Sequence, residues 1–306
     1  MGGGKIIGLF NRVIIPYFLY AFILGEGLGP KSIACFGYGS IQTIGQVLPN
    51  QHLWFLPTYF VAVLLVWIFE SFNKKNHLLY SILFMSSCGI ISYLTDINHD
   101  ICFNIADKTF HFTKLSNTPT AVAGEHYIGF PFSFNIALSA VVFIYIGFFA
   151  KKLVNKVAET ANRRAMVVLA LAFMMAGCIA YFCNNEAHES YMHMVVMSYG
   201  LYGNYLLFIC TAVALSLSTV FLAMVLDNPV MSKYGKYTLF IFAFHFSAMA
   251  LPRIMAQVLL NKELLDSYPT IFSIYQAVVG LFILCLIIPY FQKLIPNLFG
   301  KKINEQ

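Results

Sequence analysis

Charged residues are scarce in this chain. Asp, Glu, Lys and Arg make up 10% of its 306 residues, where a soluble globular domain carries about 25%. Tryptophan occurs twice, against 30 Phe and 18 Tyr. The seven cysteines show no C-x-x-C pair, so the usual zinc-ribbon and dithiol layouts are excluded. There is no G-x-S-x-G elbow, P-loop, dinucleotide glycine fingerprint or Ser-His-Asp order, which sets aside the soluble hydrolase, NTPase and dehydrogenase classes. Internal repeats, low-complexity tracts and a separate soluble domain are also missing, so residues 1–306 read as one domain. The N-terminal apolar stretch is broken by Arg12 and lacks an A-x-A cleavage site, so it reads as a retained span. "MGGGKI" lacks the Ser or Thr of a myristoylation signal.

What is abundant is apolar surface. The chain is 59% hydrophobic with a mean hydropathy of +0.73. A water-soluble fold of this length has no interior large enough for it, so the fold class is all-α, a polytopic membrane helix bundle. Eight spans are predicted over 7–25, 52–71, 78–95, 132–150, 164–183, 204–226, 235–251 and 271–292. Each approaches the ~20 residues that cross a bilayer core. Arg12 and His245 shorten the apolar runs of the first and seventh.

The net charge of +6 does not point to nucleic acid. Its cations lie between spans, where orientation signals belong. With both termini cytoplasmic, fourteen of the nineteen Lys and Arg fall inside, among them Lys74, Lys75, Lys151, Lys152, Arg163 and Arg164. An even span number agrees with that orientation. The outer side then holds 26–51, 96–131, 184–203 and 252–270, with most of the carboxylates and histidines. Loops of that length usually bind something or are disordered. Cys35 and Cys102 fall in these outer segments, where a disulfide between them is open. Cys88, Cys178, Cys210 and Cys285 sit in apolar runs and read as packing residues.

Five local features carry candidate chemistry. His245, in "YGKYTLFIFAFHF", lies nine residues past Lys236, about 14 Å along a helix. It is either a proton acceptor or substrate-orienting group facing a wet cavity, or a neutral histidine bonded to a neighbouring helix. Arg12, in "FNRVIIPYFLY", is either an anchor beside the Pro16 kink or a bidentate phosphate contact. His52 and Trp54, in "NQHLWFLPTYF", are interface-belt residues or a platform for a sugar ring. Glu125 and His126 form a weak carboxylate–imidazole candidate, because adjacent residues of an extended chain point apart. Glu186, His188, Glu189 and His193 invite a metal reading, since Glu189 and His193 are spaced i,i+4. They match no ligand signature, so no metal is expected and a polar loop meeting substrate is preferred.

"FNRVIIPYFLY", "HLWFLPTYF", "PFSFNIALSAVVFIYIGFFAKK", "YGLYGNYLLF" and "YGKYTLFIFAFHF" occur in that order. Together they resemble the acyltransferase-3 family of integral membrane O-acyltransferases, particularly its fucose 4-O-acetylase-like branch, over residues 5–295. The resemblance implies acyl transfer, often of acetyl, from acetyl-CoA or another acyl-CoA as co-substrate. The acceptor would be a sugar hydroxyl of a surface polysaccharide, glycan precursor or glycolipid. It also implies a bacterial inner membrane location, contact with membrane lipid and no bound cofactor. His245 matches the histidine ending the family's "G-K-x-T-L" helix and becomes the catalytic candidate. Arg12 matches the basic residue before the "IPY" helix. Lys74, Lys75 and Lys236 join it as donor-binding candidates. His52, Trp54, Glu125, His126, Glu186 and Asn204 are the acceptor-binding candidates.

Family members usually begin with two more helices, which carry a histidine thought to deprotonate the acceptor. This sequence starts at what resembles the third helix. The resemblance therefore implies that a preceding segment or a partner chain supplies that histidine. A non-catalytic remnant and a glycan transporter or flippase remain the competing readings.

Overall fold

The computed structural model describes residues 3–24, 29–48, 52–73, 77–114, 122, 124–190, 193–226, 228–259 and 268–294. All eight predicted spans are present as helices long and apolar enough to cross a membrane. They are α1 (Gly3–Leu24), α4 (Phe55–Phe72), α5 (His77–Leu94), α6 (Phe134–Thr160), α7 (Arg163–Phe182), α9 (Tyr205–Leu226), α11 (Thr238–Leu259) and α12 (Pro269–Leu294). Shorter helices are α2 (Pro30–Tyr38), α3 (Ile41–Gly45), α8 (Asn185–His188) and α10 (Pro229–Gly235). The chain is an integral membrane helix bundle.

Two helices run eight or more residues past their predicted C-terminal ends. α6 continues to Thr160 because "AKKLVNKVAET" holds good helix formers and neither Gly nor Pro. It stops where Asn162 caps α7, its side-chain oxygen accepting the Ala165 N–H at 2.9 Å. α11 runs through Pro252 to Leu259, and Arg253 is therefore a helical residue.

The chain divides into two compact units. The larger comprises Met1–Ile6 and Leu28–Asp227, the smaller Ile7–Gly27 and Asn228–Gln306. In the larger unit, α4, α5 and α6 meet at Ala62, Cys88, Ala137, Leu138, Val141 and Tyr145. α7 and α9 approach at Gly177, where an added Cβ would lie 2.7 Å from Leu215. The Ser218 hydroxyl ties them further by donating to the Ala170 carbonyl at 2.7 Å. Small residues that let backbones close up are the usual device where lipid supplies no hydrophobic drive between helices.

In the smaller unit, α12 buries Leu284 and Ile288 while Ile271, Ile274, Val278, Phe282 and Leu286 stay open. The open residues recur every three or four positions, so they form one helix face that suits hydrocarbon. Aromatic contacts join the unit: Tyr20 meets Phe244 edge-on at 5.5 Å, and Phe291 packs on Phe240 at the same distance.

The predicted 96–131 loop is not structureless. It contains β1 (Cys102–Ile105), β2 (Lys108–His111) and β3 (His126–Tyr127), in the sheet order β1-β2-β3. β1 and β2 form an antiparallel hairpin with Cys102 opposite His111. Its two-residue turn places Ala106 at φ 45° and Asp107 at φ 63°, the left-handed pair that a type I′ hairpin requires. β3 pairs with β2 in parallel. This small sheet and an isolated antiparallel bridge between Val196 and Leu201 are the departures from an all-α chain among the described residues. Cys35 is buried in α2, Cys102 is exposed on β1, and both thiols are free, so the bridge left open between them is not formed.

Candidate functional site

In the smaller unit, His245 sits seven residues into α11 and is half-buried. Its Nδ1 lies 2.6 Å from the Phe242 carbonyl oxygen. A carbonyl only accepts, so Nδ1 carries the hydrogen and the ring lone pair falls on Nε2. The imidazole packs against Phe246 at 4.1 Å. This polar contact is within its own helix. Arg12 is exposed on α1, four residues before Pro16. Lys236 is exposed in the turn between α10 and α11. Lys74 and Lys75 lie outside the described residues.

In the larger unit, a cavity of about 560 Å³ opens between α5, α6 and α9. Its walls include Met85, Gly89, Ile90, Val142, Ile146 and Ile209, while Glu186 and Asn204 lie at its polar end. Two predicted acceptor contacts, about eighteen residues apart in sequence, are thus brought to one cavity. Gly89 lies on its wall, where a Cβ would make ordinary contact with Val142 at 3.4 Å and Tyr205 at 3.6 Å. Asn204 is held by its backbone N–H, which donates to Asn184 Oδ1 at 2.8 Å. Gly203 makes that bond possible: its φ is +61°, and a Cβ would fall 2.4 Å from the same Asn184 oxygen. The Asn204 side chain also caps α9 by accepting the Leu207 N–H at 3.2 Å.

Beside the cavity lies a buried hydroxyl cluster that the sequence did not reveal. Ser139 Oγ is 2.7 Å from Ser92 Oγ, 2.8 Å from the Tyr205 hydroxyl and 3.2 Å from the Tyr202 hydroxyl. Ser92 also donates to the Asn135 carbonyl at 2.8 Å. Burial pushes the Tyr202 hydroxyl up to about 12, so it stays neutral. The network pins α5 to α6 and α9. A second missed group joins α4, α5 and α6. Glu70 Oε2 is 2.5 Å from His77 Nε2, and Oε1 accepts from Tyr145 at 2.6 Å and Ser81 at 3.0 Å.

The other predicted acceptor contacts go elsewhere. Trp54 ends a 3₁₀ turn (His52–Trp54) before α4 and meets Phe55 edge-on at 5.9 Å. The side chain of His52 lies outside the described residues. Glu125 and His126 do not pair with each other. Glu125 lies 2.9 Å from His111 Nε2 and accepts from the Tyr127 hydroxyl at 2.9 Å. His126 stacks on Phe110 at 5.1 Å. His111 is 4% exposed, and its Nδ1 is 2.9 Å from Asp100 Oδ1. The Nε2–Glu125 approach lacks aligned hydrogen-bond geometry. Lys114 completes the group, 2.8 Å from Asp100 Oδ2.

The i,i+4 basis for a Glu189–His193 metal pair fails, because α8 ends at His188. His188 Nε2 and His193 Nδ1 lie 3.0 Å and 2.8 Å from the backbone carbonyls of Tyr181 and His188.

Comparison with known proteins gives one family match. The model of an acyltransferase domain, that of the acyltransferase-3 family, matches residues 4–290. No curated protein and no solved structure matches.

Proposed function

The chain belongs to the acyltransferase-3 family, and from that premise we propose that it is a membrane-bound O-acyltransferase. It moves an acyl group, acetyl foremost, from acyl-CoA to a sugar hydroxyl of a surface polysaccharide or glycan precursor. The match over 4–290 is the observation that carries this reading.

The chemistry of the candidate residues suggests a division of roles. His245 is the general base: with Nδ1 bonded to Phe242, Nε2 is the nitrogen that takes the proton. As the acceptor hydroxyl gives up that proton, its oxygen attacks the thioester carbonyl. The C–S bond then breaks and the thiol leaves with the proton. Such a step is worth about 10²–10⁴-fold. In the smaller unit Arg12 and Lys236 contact the phosphates of the donor; Lys74 and Lys75 stay donor-binding candidates from the sequence. Arg12 is the strongest of these contacts, because a guanidinium meets phosphate in a bidentate fork. Glu186 and Asn204 meet the hydroxyls of the acceptor, whose apolar anchor the adjoining cavity accommodates. The Trp54 ring offers a further stacking surface for sugar.

Proteoliposomes holding the full chain, radiolabelled acetyl-CoA and a glycolipid extract test this reading. Label is expected in the glycan, with a raised KM for acetyl-CoA in Arg12→Ala. Movement of glycolipid across the bilayer with no label incorporated contradicts it in favour of a transporter.

A further inference from the structure

We infer that the β1–β2 hairpin is a divalent transition-metal site of the zinc class, with Asp100, Cys102 and His111 as ligands and Glu125 orienting the imidazole. It stands apart from the acyl-transfer reading and uses none of its residues except Glu125, an acceptor candidate there.

The arrangement follows from strand geometry. Asp100 and Cys102 are two residues apart, so they share one face of an extended chain. The hairpin register sets His111 directly opposite Cys102. One ligand atom from each of the three then lies within 4.8 Å of the others. In a tetrahedral zinc site, bonds of 2.0–2.3 Å put ligand atoms about 3.3–3.8 Å apart. Asp100 Oδ1 and His111 Nδ1 are already 2.9 Å apart. Closure asks for a rotation of the Cys102 side chain, which is exposed, and for Asp100 Oδ1 and His111 Nδ1 to part by about half an ångström as the metal replaces the hydrogen between them.

The surroundings of His111 favour a metal over a simple ion pair. A metal-binding histidine typically gives its second ring N–H to a carboxylate, which fixes the tautomer and raises its basicity. Here Nδ1 faces the ligand cluster, and Nε2 lies 2.9 Å from Glu125 without an aligned hydrogen bond, which metal binding at Nδ1 would complete. Glu125 is itself held by Tyr127, whose ring stacks on the imidazole at 4.8 Å. Lys114 takes Oδ2 of Asp100, and Oδ1 meets His111 Nδ1, the bond that a metal held by both atoms would replace. A divalent ion with the Asp100 carboxylate, the Cys102 thiolate, the Glu125 carboxylate and the Lys114 ammonium makes an electrically neutral group. Thiolate with imidazole selects zinc-class ions over the hard cations magnesium and calcium. Three protein ligands leave a fourth position for water.

The test is metal titration of the full chain in nanodiscs after chelator treatment. One Zn²⁺ per chain is expected by elemental analysis. Co²⁺ should give a thiolate-to-metal charge-transfer band. Cys102→Ser should abolish the band, and His111→Gln should weaken Zn²⁺ binding at least 100-fold. Glu125→Gln keeps all three ligands and should weaken it about 10–100-fold. Cys183→Ser, at another exposed cysteine, should change nothing. Sub-stoichiometric zinc in the unsubstituted chain overturns the inference. So does binding that survives both Cys102→Ser and His111→Gln, or a band that depends on Cys183. Should His111→Gln fail to insert, Glu125→Gln decides alone, and unchanged affinity there counts against the site.

Discussion

The Nδ1 of His245 and the carbonyl oxygen of Phe242 are 2.6 Å apart, three residues along one helix. The contact settles which ring nitrogen carries hydrogen before any substrate arrives. His245→Ala should lower kcat for acyl transfer by about 10²–10⁴-fold and leave KM for acetyl-CoA within about twofold, since a base lost only from the transition state does not alter ground-state binding. His245→Gln should fall as far, because an amide accepts a hydrogen bond but no proton. Steady-state kinetics in proteoliposomes separates the two constants.

Arg12 should act on the donor alone. Arg12→Ala is expected to raise KM for acetyl-CoA roughly tenfold, about 1.4 kcal/mol. Arg12→Lys should recover only part of this, since a point charge replaces a bidentate fork. Equal rescue by lysine would reduce Arg12 to a membrane anchor. Kinetics with varied acetyl-CoA at fixed acceptor reads the difference.

Gly89 tests the α5–α6–α9 cavity. Gly89→Ala should be tolerated, because its Cβ meets only ordinary contacts at 3.4 Å and beyond. Gly89→Leu fills the space beside Val142 and Tyr205. It should raise KM for a glycolipid acceptor at least tenfold and leave the donor constant unchanged. Competition between glycolipid acceptors of different tail length is the measurement.

Ser139 is the hub of the buried hydroxyl cluster. Ser139→Ala leaves Ser92, Tyr202 and Tyr205 short of a partner, and a buried polar group so stranded costs about 1–3 kcal/mol. Unfolding in mild detergent should show a lowered midpoint. Thr219→Ala, whose hydroxyl bonds only to its own helix at 2.9 Å, should lie close to the unsubstituted chain.

Acid should loosen the hairpin. The Lys114 hydrogen bond holds the Asp100 carboxyl below its usual range, with His111 adding to it and burial opposing. A carboxyl whose folded value is depressed stabilises the fold fully above its unfolded value near 4. That contribution is lost as pH falls through the folded value. With chelator present, proteolysis of segment 96–114 should therefore accelerate below about pH 4. Lys114→Met should move the onset upward.

The spans were legible because an apolar run of about twenty residues has few other uses. Their ends were less so: "AKKLVNKVAET" looks like a polar stop, yet nothing in it breaks a helix, and α6 runs on to Thr160. The hairpin was missed because "CFNIADKTFHF" lies inside a long polar segment. Its signal was an alternating run on each side of Ala106–Asp107, and that register would have placed His111 across from Cys102. Glu125 drew attention for its neighbour His126, but a strand turns neighbours apart, and its partner comes from fourteen residues earlier. Ser92 and Ser139 gave no signal at all. Single hydroxyls in apolar helices look neutral until two helices bring them within 2.7 Å.

The most direct measurement is acyl transfer by the full chain in proteoliposomes, with and without His245. Radiolabel should pass from acetyl-CoA to a glycan hydroxyl, and His245→Ala should lower that rate at least 100-fold while the protein remains inserted. Equal rates with and without the imidazole, or no label transferred by the unsubstituted chain, would contradict the account.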